Sequence, residues 1–61
     1  MTTQLPPREV VILGLYYYFK KMQKERKDIE SKAMEIKEKY KFSDEEFEKV
    51  CYDCYKAIME E

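Results

Sequence analysis

The segment from Val10 to Met22, VVILGLYYYFKKM, constrains this chain more than any other, because it carries apolar side chains on two opposite sides of a helix. A surface helix normally has one apolar stripe. Here Ile12, Leu15, Phe19 and Met22 form one stripe and Val10, Leu13, Gly14 and Tyr17 form another, so the segment needs two partners. It is too short to cross a membrane: Val10 to Phe19 supplies ten apolar or Gly residues, and a spanning helix needs roughly 20. Pro6, Pro7, Arg8 and Glu9 precede it and lysines follow it, which is not the pattern of a cleaved secretory signal. A cytoplasmic location is expected. The width of the apolar arc also argues against a helix lying in a membrane interface.

The surroundings of this run are helix-forming. Charged residues make up 41% of the 61-residue chain, with one Gly and two Pro, both prolines near the amino end. That is the composition of an all-α fold. A chain this long makes one domain and buries only roughly 60% of the surface its unfolded form exposes, so further support from oligomerisation is expected. The net charge of −1 conceals a strong asymmetry. In residues 1–27, Arg8, Lys20, Lys21, Lys24, Arg26 and Lys27 oppose Glu9 and Glu25, giving +4, whereas residues 28–61 hold six lysines and eleven acids, giving −5. Such a dipole steers encounters and suits antiparallel self-association.

Residues 1–6 carry no periodic pattern and are expected to fray. Pro7 suits the first helical position, and Glu9 in the first turn favours the helix dipole. From there Ile12, Phe19, Arg26, Ala33 and Tyr40 fall on one heptad line, and Leu15, Met22, Ile29 and Ile36 on the other. This a/d seam predicts one continuous helix over 7–41, roughly 50 Å long at 1.5 Å per residue. The alternative is a break near Arg26 to Asp28, with Asp28 capping a second segment, which gives a monomeric three-helix bundle. The next boundary is clearer. Ser43 and Glu46 spell a capping box, with Phe42 and Phe47 placed as a hydrophobic staple, so another helix is expected over 44–60. Phe47, Cys51, Cys54 and Ile58 make its buried face. If helix 7–41 is continuous, the short connection before Ser43 makes a helical hairpin. The second helix then leaves residues 10–22 uncovered, and a homodimer forming a four-helix bundle through Ile12, Leu15, Phe19 and Met22 follows.

Three constellations invite a chemical reading. Cys51 and Cys54 spell C-x-x-C, but two turns into a helix rather than at its N-terminus, where the dipole would lower a thiol pKa. With no histidine in the chain, two thiolates are half of a four-ligand zinc site, so buried core thiols are expected and no metal or cofactor. Tyr16, Tyr17 and Tyr18 spread over roughly 200° of a helix and cannot make one stacking platform. As a helix-turn-helix, residues 44–61 would present seven acids against Lys49 and Lys56, which phosphates repel. Catalysis is not expected: there is no histidine, no Ser-centred constellation and no Gly-rich loop.

The expectation is therefore a non-enzymatic protein-binding module: an inhibitor, an adaptor, an assembly subunit or a designed binder. Its partner face would be Val10, Leu13, Gly14 and Tyr17, with Lys21 at the edge, because these positions lie away from the heptad seam. Gly14 costs about 1 kcal/mol relative to Ala inside a helix, a cost that close approach of a partner would explain. The alternative is a small nucleic-acid-binding regulator using the basic segment Lys20 to Lys27.

Overall fold

The chain enters its first helix at Pro7, where the missing N–H costs nothing because first-turn donors have no intrahelical acceptor. In the computed structural model, which describes residues 5–59, three helices follow one another: α1 (Pro7–Lys21), α2 (Lys27–Tyr40) and α3 (Asp44–Met59), with no strand among the described residues. The protein is all-helical. Residues 1–4 of the expected frayed tail lie outside the described residues, but Leu5 does not behave as tail: it is half-buried against the core.

The continuous helix over 7–41 does not form. Its path is cut at residues 22–26, so the a/d seam that ran through Arg26 is interrupted and with it the geometry of the hairpin dimer. The stop is made by the backbone. Gln23 takes a left-handed conformation at φ 60°, its N–H donating to the Lys20 carbonyl at 3.1 Å and the Lys24 N–H donating to the Phe19 carbonyl at 2.9 Å. This pair of bonds is a Schellman closure. The same device ends α2: Lys41 sits at φ 57°, with Lys41 N–H on Glu38 and Phe42 N–H on the Lys37 carbonyl at 3.0 Å. Neither residue is glycine, and a non-glycine in this region costs roughly 1–2 kcal/mol. The break offsets that strain, because it lets α2 fold back beside α1 and, with α3, close the core over Leu13, which has no exposed surface; full burial of one leucine side chain is worth about 1.5–3 kcal/mol. The cap of α2 also differs from the alternative expectation. Arg26, extended at φ −127°, holds the N-cap position without a side-chain hydrogen bond, and Asp28 lies inside the first turn.

Before α3 the capping box forms as spelled: Ser43 N–H donates to Glu46 Oε1 at 3.1 Å, and Glu46 N–H to Ser43 Oγ at 3.2 Å. Phe42 packs against the core that contains Phe47, its ring stacked on Tyr40. Lys37 bonds Asp44 across the turn. The core consists of Leu13 from α1, Ala33 and Ile36 from α2, and Phe47, Cys51 and Cys54 from α3. Glu9 at the start of α1 meets Lys39 and Tyr40 at the end of α2, so these two helices run antiparallel. The more extensive packing is between α1 and α3. There Gly14 lets the helices approach: a Cβ at this position would collide with Ile58 Cδ1 and lie 3.2 Å from the Cys54 carbonyl oxygen.

Candidate functional site

Because α1 is apolar around most of its circumference, covering two sides with α2 and α3 leaves a third. Val11, Leu15, Tyr18 and Met22 follow one another at spacings of four, three and four residues, which places them on one line of the helix. Val11 is 46% exposed and Met22, at the C-cap, 50%; Leu15 and Tyr18 are half-buried. Beside this line α3 contributes Tyr55, Ile58 and Met59, the last 57% exposed. Between the helices lies a small cavity of about 110 Å³ lined by Gly14, Leu15, Tyr18, Tyr55, Ile58 and Met59, with no polar surface.

An aromatic cluster supports the floor of this face. Tyr17 packs on Tyr52 and Tyr55 with ring centroids 5.6 and 5.1 Å apart, and Tyr18 stacks on Tyr55 at 6.3 Å. Tyr16 points elsewhere, tilted against Phe47 at 5.7 Å, so the three consecutive tyrosines divide between the core and the α1–α3 seam. Cations lie over the rings at the end of α1: Lys21 over Tyr55, Lys20 over Tyr16, and Arg26 over Phe19 at 5.0 Å. Such contacts are worth about 0.5–1 kcal/mol at exposed sites. Arg26 also lies 3.7 Å from Asp28, whereas Lys20, Lys21 and Lys24 form no ion pair with a described residue.

The residues expected to form the partner face are divided by the fold. Leu13 is fully buried and Gly14 is closed over by α3, so both belong to the interior. The reason is the break: once α2 and α3 both reach α1, the side that a hairpin would leave bare becomes the centre of the core. Val10 is half-buried against that core and Tyr17 is half-buried among the α3 tyrosines, while Lys21 is exposed. The expected self-association set is divided as well. Ile12 packs on the core, Leu15 and Met22 are on the outward line, and half-buried Phe19 lies beside it, facing the loop between α1 and α2. Val11, Tyr18, Tyr55 and Met59 were not singled out as site residues from sequence. The i, i+4, i+7, i+11 spacing of Val11 to Met22 was the available signal, obscured because almost every position of the run is apolar.

Cys51 and Cys54 lie one turn apart on the buried face of α3, both as free thiols. Desolvation by burial pushes the Cys51 thiol up to about 12 and Cys54 up to about 11. A thiol held protonated is a poor nucleophile and a poor metal ligand, and the pair packs as small apolar side chains. No group of three or more metal-ligating side chains occurs among the described residues, and no helix there is long and apolar enough to cross a membrane. Compared with protein-family models, with curated proteins and with solved structures, the chain matches none of them.

Proposed function

We propose that this chain is a non-enzymatic protein-binding module and that its contact surface is the outward line of α1, Val11, Leu15, Tyr18 and Met22, together with Tyr55 and Met59 of α3. The observation that carries this reading is the exposure of Val11, Met22 and Met59 in one region that the chain's own helices leave uncovered. Contiguous apolar surface rimmed by polar side chains marks interaction sites, and aromatic and Met side chains are enriched there. Among the described residues the cavity beside this line is lined by apolar and tyrosyl side chains, with Lys21 over Tyr55 at its edge.

The test compares capture by the wild-type chain and by a Val11→Glu/Met22→Glu variant, both positions being exposed so that the fold is spared. A partner retained by the wild type and lost by the variant, with unchanged helicity and Tm, supports the reading; equal capture by both overturns it. Light scattering on the same pair addresses self-association. A wild-type mass near twice 7.5 kDa that the variant halves would make the partner a second copy. Binding through the basic segment Lys20 to Lys27 to nucleic acid would instead fall steeply with salt and ignore Val11 and Met22.

A further inference from the structure

We infer that the groove between α1 and the end of α3 receives an acidic amphipathic helix from another protein, laid along α1 with its apolar side down. The inference rests on the reading above, that this face binds protein, and adds the chemistry of the partner. Three observations converge on it. The four-three-four spacing of Val11, Leu15, Tyr18 and Met22 is the spacing of a heptad seam, and such a row packs against a facing helix by knobs into holes. The cavity beside it, about 110 Å³ and wholly apolar, is the hole for one aliphatic knob. Its walls offer no hydrogen-bonding group to a nucleobase or a peptide backbone. Two cations flank the row, Arg8 at its start and Lys21, which lies over the Tyr55 ring of the groove wall, at its end; neither is in an ion pair with a described residue, and the only acid on α1, Glu9, is already bonded to Tyr40 and Lys39. Acidic flanks on the partner complement this rim.

A second copy is disfavoured by the same rim. Two α1 faces packed together carry Arg8 at one end and Lys21 at the other, so either orientation brings like charges together, and like-charge juxtaposition selects against a pairing. A bilayer of anionic lipid would be drawn by the same cations, but a flat surface does not enter the cavity.

The probes are two synthetic three-heptad peptides with Leu at a and d, one carrying Glu and the other Lys at e and g, titrated against the full chain by fluorescence anisotropy. The acidic peptide is expected to bind about tenfold or more tightly than its basic twin, with affinity falling severalfold as ionic strength shortens the Debye length from about 10 Å to about 3 Å. Met22→Glu should abolish binding with Tm unchanged, and Arg8→Glu/Lys21→Glu should invert the preference. Equal binding of both peptides overturns the acidic partner while leaving a protein-binding face. Failure of both peptides, with capture in the pull-down still sensitive to Met22, does the same. Binding to phosphatidylserine-containing vesicles without peptide binding assigns the face to membrane and overturns both readings. A monomer–dimer equilibrium abolished by Met22→Glu assigns it to a second copy and overturns the acidic helix.

Discussion

The Tyr40 hydroxyl at the end of α2 donates a 2.7 Å hydrogen bond to Glu9 Oε1 at the start of α1, while Lys39 Nζ reaches the other carboxylate oxygen at 3.1 Å. This pairing ties together the two helices that the break at residues 22–26 separates, at the end remote from the loop. The Glu9 side chain is 15% exposed and that of Lys39 62%, so the Tyr40 hydrogen bond is the shielded part of this contact and the Lys39 pair is a surface one. The Tyr40 hydrogen bond, followed by Lys39, holds the Glu9 carboxyl below its ordinary 4.5, and Glu9 in turn pushes the Tyr40 phenol above its ordinary 10.0.

Stability should therefore depend on Glu9 and Tyr40 at both ends of the pH scale. A lowered carboxyl pKa contributes stability above the ordinary value that is lost as pH falls through the folded one, and a raised phenol pKa contributes below its ordinary value and is lost as pH rises through the folded one. Thermal melts of wild type, Glu9→Gln and Tyr40→Phe should differ most near neutral pH. The Glu9→Gln difference should shrink below pH 4.5, and the Tyr40→Phe difference should shrink above pH 10.0 as well. Asp44, lowered by Lys37, adds a parallel acid loss, so the comparison must be between variant and wild type. A Glu9→Gln difference that is flat from neutral to acid would remove the carboxylate from this role.

Leu13→Ala should destabilise the fold by about 3 kcal/mol, within the range for fully buried leucines, and Leu13→Lys should leave the chain unfolded at room temperature. Leu13 has no exposed surface, and a 61-residue domain has little stability to lose. Circular dichroism with urea titration reads this directly. A folded Leu13→Lys variant would return this residue to the surface.

How far these outcomes were legible in the sequence depends on what signals each boundary. Ser43 and Glu46 identify the start of α3 because their side chains make the capping bonds themselves. The end of α1 has no such label: the left-handed position is filled by Gln23, not Gly or Asn, and the residues around it are helix formers. Ile29, Ala33, Ile36 and Tyr40 then resume a helical spacing in phase with Phe19 and Met22, so two helices mimic one seam. The cysteines could be placed from the spacing of Phe47, Cys51 and Cys54 alone. The outward face of α1 could not, since an apolar run with side chains of similar hydropathy on all sides does not say which side meets α2, which meets α3, and which meets solvent. That assignment required the break.

Gln23→Gly and Lys41→Gly should each stabilise the protein. Removing the Cβ relieves a left-handed strain of roughly 1–2 kcal/mol, and the greater freedom of glycine in the unfolded chain takes back about 0.5–1 kcal/mol. The expected net gain is about 0.5–1 kcal/mol per site, read as a higher urea midpoint with unchanged slope. Loss of stability at Gln23 would show that the loop between α1 and α2 is not held in this conformation.

Neither thiol should react with an aromatic disulfide reagent in the native state near pH 8, and both should be released together on unfolding. Their raised folded pKa means that the neutral thiols stabilise the fold fully below the ordinary value of 9.0, a contribution lost as pH rises toward about 11 for Cys54 and about 12 for Cys51. Cys51→Ser replaces a thiol that is 1% exposed with a hydroxyl lacking a partner, which should cost about 1–3 kcal/mol. Rapid stoichiometric labelling of either cysteine in the folded protein would contradict the packing of α3 on α1.

Gly14 gives the sharpest test of how α1 and α3 fit together. In an isolated helix Gly14→Ala would be favourable by about 1 kcal/mol. Here the new methyl meets Ile58 Cδ1, which can rotate aside, and the Cys54 carbonyl oxygen at 3.2 Å, which belongs to a helix backbone and cannot move alone. Overpacking of this kind costs about 1–3 kcal/mol, so the net effect should be a loss of about 1 kcal/mol. Ile58→Ala alone also destabilises, by removing the side chain that closes over Gly14. In the double variant the alanine methyl no longer competes with Ile58, so the two losses should sum to more than the double variant shows, with a coupling of about 0.5 kcal/mol or more. The acidic peptide offers a second readout, because Gly14 and Ile58 line the same cavity: Ile58→Ala should change the peptide affinity without abolishing it. Strict additivity in stability would place the whole cost on the Cys54 carbonyl, with Ile58 rotated clear; a Gly14→Ala gain of about 1 kcal/mol, as in an isolated helix, would mean that α3 does not close over Gly14 in solution, and the groove proposed for the partner helix would lose its floor.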